Sequence, residues 1–340
     1  MVSFAFDWFR NIDGDPSVLR RNVAWCSHYF SQAGFEAESA EANLDRVARA
    51  ANIFQSLNVS YNHYGWAYLY DRLDAFPLAQ EFFLDSCRDD VVVGYEMSRA
   101  QCRVLEQAGK KYINLRAHPV RFLTDYLLAA STNDRDFHAR LLSAAPPRSY
   151  LDQHVAFHKA RAARRYQRRM DPDAGIVFFA QISFDASRIR NGEFLGDEFI
   201  SLNLERYIDV QKPKNIYVKR HPHEKMKPSL LTTLKKMGGK EIETNTYDLM
   251  SVERLRLCAL SSSVCHEAVY FGAVPTPFYT PPDVTPLVGE QAPVGDYIMT
   301  PANIFDRAFW SYILQDAPAP EFVYPMPLAP FRTASGLSWG

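Results

Sequence analysis

Cysteine is scarce and unpatterned in this chain: five in 340 residues (Cys26, Cys87, Cys102, Cys258 and Cys265), with no CxxC and no Cys/His ligand spacing. That excludes a disulfide scaffold and a structural zinc site, and it fits a reducing cytoplasm. An excess of either charge is missing too. The 38 Lys and Arg against 39 Asp and Glu leave a formal net charge of -1, so no global field draws nucleic acid or an anionic membrane, and any anion site is local. No run of about 18 uncharged apolar residues occurs, which argues against a membrane-spanning helix. The stretch MVSFAFDWFRNIDGD has no cationic leader before an apolar run, so a standard export signal is not expected. Internal repeats and low-complexity tracts are also absent.

What is present is an alternation of short apolar runs and longer amphipathic ones. In the first half NLDRVARAANIFQSL reads as helix, DDVVVGYEMS as a buried strand, RAQCRVLEQAGKK as a helix closed by Gly109, YINLRA as a strand and RFLTDYLLAAST as a helix. After a break at MDPDAG the rhythm resumes. GIVFFAQIS, NIYVKRHP and KEIETN read as strands, and GDEFISLNLERYIDV, PSLLTTLKKMGG and SVCHEAVYFGA as helices. Strands alternating with helices predict an α/β fold of two Rossmann-like parallel-sheet domains facing a cleft. The expected boundaries are 1–155, a basic helical linker at 156–172, a nucleotide-sugar domain at 173–302, and a segment at 303–340 that packs back on the first domain. In the linker Arg161, Arg164, Arg165, Arg168 and Arg169 share one helical side. This stripe reads as a solvated face, with a peripheral anionic lipid surface or a partner as its alternative.

Ligands of open parallel sheets bind beyond the carboxyl ends of the strands. Four groups of polar residues fall there. Lys219, Arg220 and His221, followed by Pro222, suit a phosphate through charge-assisted donors. Ser261, Ser262 and Ser263 precede a helix start, where exposed N–H groups and the helix dipole seat a phosphate, although capping alone would need one serine. Glu267, one turn inside that helix, is placed to accept from ribose hydroxyls or simply to favour the dipole. Gln181 and Asp185 form QxxxD after an apolar strand; Asp185 is a nucleophile or base at an electrophilic carbon, or the start of an Asx turn with Ser187. In the first half Glu96 follows Gly94 at a strand exit, with Asp89 and Asp90 as alternatives for an acid on that side of the cleft.

QISFDAS (181–187), KRHPHE (219–224) and SSSVCHEAVYFG (261–272), in this order, resemble the QxxxD, HP and Ser-rich motifs of retaining β-Kdo glycosyltransferases of GT-B fold. The tight resemblance covers about 95 residues, with GYE at 94–96 and INLRAHPVRF at 113–122 matching more loosely. It implies a CMP-β-Kdo donor with His221 and Ser261 to Ser263 near its phosphate and Glu267 at its ribose. It further implies Asp185 as the nucleophile that forms a glycosyl-enzyme adduct, and Glu96 as the base that activates a lipid-linked or oligosaccharide acceptor. The sugar's own carboxylate needs further cations, for which Arg116, His118 and Arg121, or Lys219 and Arg220, are candidates. No metal or other cofactor is required, because cationic side chains and a helix dipole suffice for one CMP phosphate. The alternatives are an inverting transferase of CMP-sialic acid or another CMP-sugar, and a non-catalytic nucleotide-sugar-binding protein. Nucleic acid is not an expected partner, and the expected location is the cytoplasm, at the inner face of the bacterial inner membrane.

Overall fold

The computed structural model describes residues 2–10, 17–33, 40–166, 175–222, 228–252, 255–315 and 317–324. Strand β1 (Val2–Phe6) is followed by helices α1 (Ser17–Gln32), α2 (Ala40–Ser56), α3 (His63–Arg72) and α4 (Pro77–Asp85) before β2 (Val91–Tyr95). The boundaries have local causes. Asn62 caps α3 by accepting from the N–H groups of Tyr64 and Gly65, and Pro77 opens α4 where its missing N–H is no loss. Ser98 and Gln101 form a reciprocal capping box at the start of α5 (Arg99–Gln107), and Gly109, at φ +69°, turns the chain into β3 (Lys111–Ala117). Then come β4 (Leu128–Thr132), α6 (Arg135–Ala144) and the long α7 (Arg148–Tyr166).

Strands β1, β2 and β3 are parallel, but β4 runs antiparallel to β3. The segment RFLTDYLLAAST, expected to be helical, therefore supplies a strand instead. All five residues of β4 are buried. A run without a polar face carries no period by which helix and strand can be told apart.

The second half comprises β5 (Gly175–Phe179), a hairpin of β6 (Ile189–Arg190) and β7 (Glu193–Phe194), α8 (Asp197–Gln211), β8 (Asn215–Lys219), α9 (Pro228–Lys236) and β9 (Lys240–Glu241). It continues through α10 (Thr246–Met250), β10 (Arg256–Ala259), α11 (Ser263–Tyr270) and β11 (Val274–Pro277). Its main sheet is parallel throughout, in the order β11-β10-β5-β8-β9. Counted along the chain, β5 is central, with its successors β8 and β9 on one side and β10 and β11 on the other. That is the doubly wound order, and it reverses between β5 and β10. Alternate residues of β5 serve two layers: Val177 and Phe179 pack beneath α10 and α11, and Phe178 packs against α8 and α9.

The chain then rejoins the first sheet. Strand β12 (Ile298–Met299) pairs antiparallel with β4, completing the order β1-β2-β3-β4-β12, and α12 (Arg307–Gln315) adds Phe309, Trp310 and Ile313 to the first core. The α/β architecture is thus two five-stranded sheets, the second fully parallel and the first mixed. The core under β5 and β10 also takes Val120, Phe122, Leu123 and Leu127 from the β3–β4 connection and Leu151 and Val155 from α7. Shared burial of this kind pins the exit of β3 against the second lobe. Among the described residues no helix is long and apolar enough to cross a membrane.

Candidate functional site

The reversal between β5 and β10 leaves a crevice at their carboxyl ends, and Gln181 spans it. Its side-chain oxygen accepts from the N–H of Ser261 at 3.1 Å and from the Ser261 hydroxyl at 3.2 Å, while its amide nitrogen donates to the Ser187 hydroxyl at 2.7 Å. The Ser187 and Ser261 hydroxyls lie 3.2 Å apart. Three of the expected motif residues thus meet across the switch point. Ser262 caps α11 by accepting from Val264 N–H at 3.4 Å, so one serine of the three does the capping, and Ser263 opens the helix.

Asp185 caps the short turn Ala186–Arg188, its Oδ1 accepting from Ser187 N–H at 2.9 Å. The Asx turn is therefore present, and it uses one oxygen; Oδ2 makes no hydrogen bond to a described residue. Arg188 is buried and donates to the carbonyl oxygens of Ile182 at 3.0 Å and Leu195 at 3.2 Å, which fixes the loop on both sides of Asp185. The following hairpin turns through Asn191 (φ +55°) and Gly192 (φ +83°), the pair that a two-residue primed turn requires. It rests on α3: Gly192 N–H donates to Asp71 at 3.0 Å, Arg72 donates to the Asn191 carbonyl at 2.9 Å, and Phe184 lies 3.8 Å from the His63 ring. The Asp185 loop is held against the first lobe.

On that lobe Glu96 is reached directly from β2 and carries φ +53°, a left-handed conformation that disfavours a side chain by about 1–3 kcal/mol. Its N–H is tied to Leu115 O at 2.7 Å, and Gly94 clears the way, since a Cβ there would strike the Met97 side chain. Strain held in place this way is characteristic of functional positions. The Glu96 side chain forms an ion pair with Arg10 and accepts from Asn22 at 3.2 Å. Both bonds go to Oε2, so Oε1 makes no hydrogen bond to a described residue. Asp89 and Asp90 lie before β2, at its amino end, where Asp89 accepts from the Ser3 hydroxyl at 2.9 Å; they are on the wrong edge to act with Glu96.

Arg10, which carries no motif, pairs with Glu96 and also feels the charge of Asp185. Burial opposes its charge, but Glu96, Asp7 and Asp185 outweigh burial and hold the guanidinium above its ordinary pKa. A carboxylate from each lobe therefore lies within the field of one cation. Asp7 is buried and accepts from Trp66 Nε1 at 2.7 Å; desolvation lifts it to about 6.

No protein-family model matches the chain, and no curated protein matches it. Among solved structures it is similar to the β-Kdo 2,7 transferase of Thermosulfurimonas dismutans KpsC, at 15% identity and TM-score 0.38, over 71% of this chain and 90% of that one. The β-Kdo 2,4 transferase of the same organism's KpsC is similar at 16% identity and TM-score 0.32, over 55% and 70%. UDP-GlcNAc 2-epimerase from Neisseria meningitidis, bound to UDP-GlcNAc, is similar at 9% identity and TM-score 0.30, over 82% of each chain. The architecture itself is carried by the strand order of the two sheets, not by these likenesses.

The remaining expected residues are spread more widely. His221 is half-buried just beyond β8. Lys219 donates to the Glu243 carbonyl at 3.2 Å and Arg220 pairs with Glu241, so both side chains turn toward the β9 edge, away from the switch point; His223 and Glu224 lie outside the described residues. Arg116 stacks 3.5 Å over the Tyr297 ring and donates to Thr285 and to the Asp283 carbonyl, a structural engagement with the loop before β12. In the basic stripe Arg161 reaches the buried Asp248 at 3.8 Å and Arg164 is exposed, whereas the Arg165 side chain, Arg168 and Arg169 lie outside the described residues.

Glu267 is only 2% exposed; it accepts from Arg121 N–H at 2.6 Å and from the Tyr247 hydroxyl at 3.3 Å. It links α11 to the β3–β4 connection and does not stand open to a ribose. Desolvation, only partly offset by those donors, raises it to about 7. The folded protein therefore holds this proton more tightly than the unfolded chain does. The resulting stability is complete below the unfolded value near 4.5 and is lost as pH rises through about 7. Glu267→Gln keeps an acceptor without the charge. It should match the wild type in urea unfolding near pH 4 and exceed it at pH 8 by up to roughly 3 kcal/mol.

Proposed function

We propose that this protein is a retaining glycosyltransferase that moves β-Kdo from CMP-β-Kdo to a glycan acceptor through a covalent adduct on Asp185. What supports the reading is one observation: Asp185 and Glu96 come from different lobes into the field of Arg10, each with one oxygen tied down and the other without a hydrogen bond to a described residue. In this reading Oδ2 of Asp185 attacks the anomeric carbon as the CMP phosphate departs toward Ser261, the start of α11 and the His221 turn. Oε1 of Glu96 then takes the proton of the acceptor hydroxyl, which attacks the adduct from the face the nucleotide left. Two displacements at one carbon retain its configuration. The second lobe holds the donor and the first receives a lipid-linked or oligosaccharide acceptor at the inner face of the membrane, with charge on the single phosphate met without a metal.

A second reading has its own observation. The capping bond from Ser187 N–H makes Asp185 a competent structural residue, which suits an inverting CMP-sialic acid transferase with Glu96 as the only base. A donor screen separates the two. CMP-Kdo, CMP-sialic acid and UDP-GlcNAc are each added with acceptor glycans, and nucleotide release and product configuration by NMR are recorded. The proposal expects turnover with CMP-Kdo and a β-linked product; turnover confined to another donor, or an inverted product, would refute it.

A further inference from the structure

Helix α1 carries more aromatic side chain than its core stripe needs. Leu19, Val23, Cys26 and Phe30, at the i, i+4, i+7 and i+11 spacing of one helical face, are all buried in the first core. Beside that stripe runs a second row, Asn22, Trp25 and Tyr29, and all three stay half-buried. The row begins at the acid of the first lobe. Asn22 donates to Glu96 at 3.2 Å, and the Trp25 ring stands edge-on to Tyr95, the residue before Glu96, with 4.9 Å between ring centres. Trp25 and Tyr29 meet at 6.2 Å. The row ends at Phe305, from the turn Ala302–Phe305 ahead of α12, whose half-buried ring stacks on Tyr29 at 4.6 Å.

What such a row takes is set by its chemistry and its place. Trp and Tyr rings offer broad, rigid, apolar faces at little entropic cost, with a polar edge that can donate. A pyranose is the complement, because one face of its ring presents C–H groups while its hydroxyls radiate around the rim. Asn22 to Tyr29 spans about 10 Å along the helix axis, room for one or two such rings. At the near end, Glu96 has both its bonds on Oε2 and makes none from Oε1 to a described residue, so a rim hydroxyl of a stacked ring arrives at an available acceptor. At the far end, burial and the charge of Asp125 hold the Tyr29 hydroxyl above its ordinary pKa. Asp125 belongs to the β3–β4 connection, which packs beneath the second lobe, so the row runs from Glu96 toward the join of the lobes.

We propose that Trp25, Tyr29 and Phe305 form the seat for the acceptor's terminal pyranose, stacked by its C–H face so that one hydroxyl reaches Glu96. The inference rests on Glu96 being the acceptor-side base and adds to it the recognition element. The acceptor is selected by the apolar face of a sugar ring and not by a charged group.

Calorimetry on CMP-loaded protein measures the seat directly, with octyl β-glucoside, octyl β-galactoside and octyl N-acetyl-β-glucosaminide below their micelle concentrations as probes and octyl tetra(ethylene glycol) as the lipid control. At least one glycoside should bind and quench tryptophan fluorescence, and Trp25→Phe should remove most of that quench. Trp25→Leu and Tyr29→Leu should each weaken the same glycoside by about tenfold or more while leaving CMP within about twofold, and Trp25→Tyr, which keeps a ring, should recover part of the loss. In transfer assays the losses should appear in the acceptor KM with kcat nearly kept, the mark of an interaction made equally in the ground and transition states. Failure of every glycoside to bind would overturn the proposal, and equal binding of the ethylene glycol control would overturn it by making the row a lipid seat. CMP and glycoside affinity falling together in both leucine variants would leave the rings a role in the fold alone. Glycoside affinity unchanged in those variants puts the acceptor elsewhere and sinks this proposal alone, whereas glycoside binding at Trp25 with no turnover of CMP-Kdo sinks the donor reading and leaves the seat standing.

Discussion

Asp185→Asn should abolish sugar transfer, lowering kcat on the order of 10⁶-fold, the scale seen when a covalent nucleophile is removed. The substitution is mild for the fold. Asparagine caps as well as aspartate, so the bond to Ser187 N–H and the turn Ala186–Arg188 are kept. Only the nucleophilic oxygen is lost. CMP affinity and unfolding should therefore stay at wild-type values, which separates a chemical defect from a structural one. Steady-state transfer assays with CMP titration in parallel are sufficient; a variant with ordinary turnover would leave Asp185 with only its capping role.

Arg10→Met should have the second-largest effect, because it removes the cation that two lobes' acids share. Arg10 and Glu96 keep side-chain exposures of 19% and 32%, so the loss is roughly 2 kcal/mol of stability, below the 3–5 kcal/mol typical of breaking a fully buried pair. Activity should fall further, on the order of 10²-fold, since the open oxygens of Glu96 and Asp185 lose their orienting charge. A variant whose kcat/KM falls only as far as its folded fraction does would show that Arg10 acts on the fold alone.

Much of the second sheet was legible beforehand because its strands are apolar runs bounded by turn residues and its helices keep a polar face. β5, β8, α9 and α11 lie inside the stretches expected for them, and α8 runs one residue past its own. Fully buried β4 lacked that contrast, and KEIETN kept only two residues of strand at an edge. The Asn191-Gly192 turn carried a readable signal, an Asn-Gly pair between short alternating runs, and with it the hairpin that carries the Asp185 loop onto α3. Arg10 carried none. It stands 86 residues before Glu96, in no motif, and only the parallel pairing of β1 with β2 brings their exits together. His266 stood inside a motif and on a helix, but the His118 ring, 5.7 Å from it between ring centres, comes from the β3–β4 connection. Local chemistry could be read from spacing, whereas pairs formed by topology required the fold.

The most direct test of the central claim is intact-mass analysis of Glu96→Gln protein mixed with CMP-Kdo in the absence of acceptor, followed by peptide mapping. The adduct should accumulate because its release is slowed, giving protein heavier by one dehydrated sugar acid, with the added mass on the peptide that contains Asp185. Release of CMP with unmodified protein, or sugar attached at any other residue, would contradict the account.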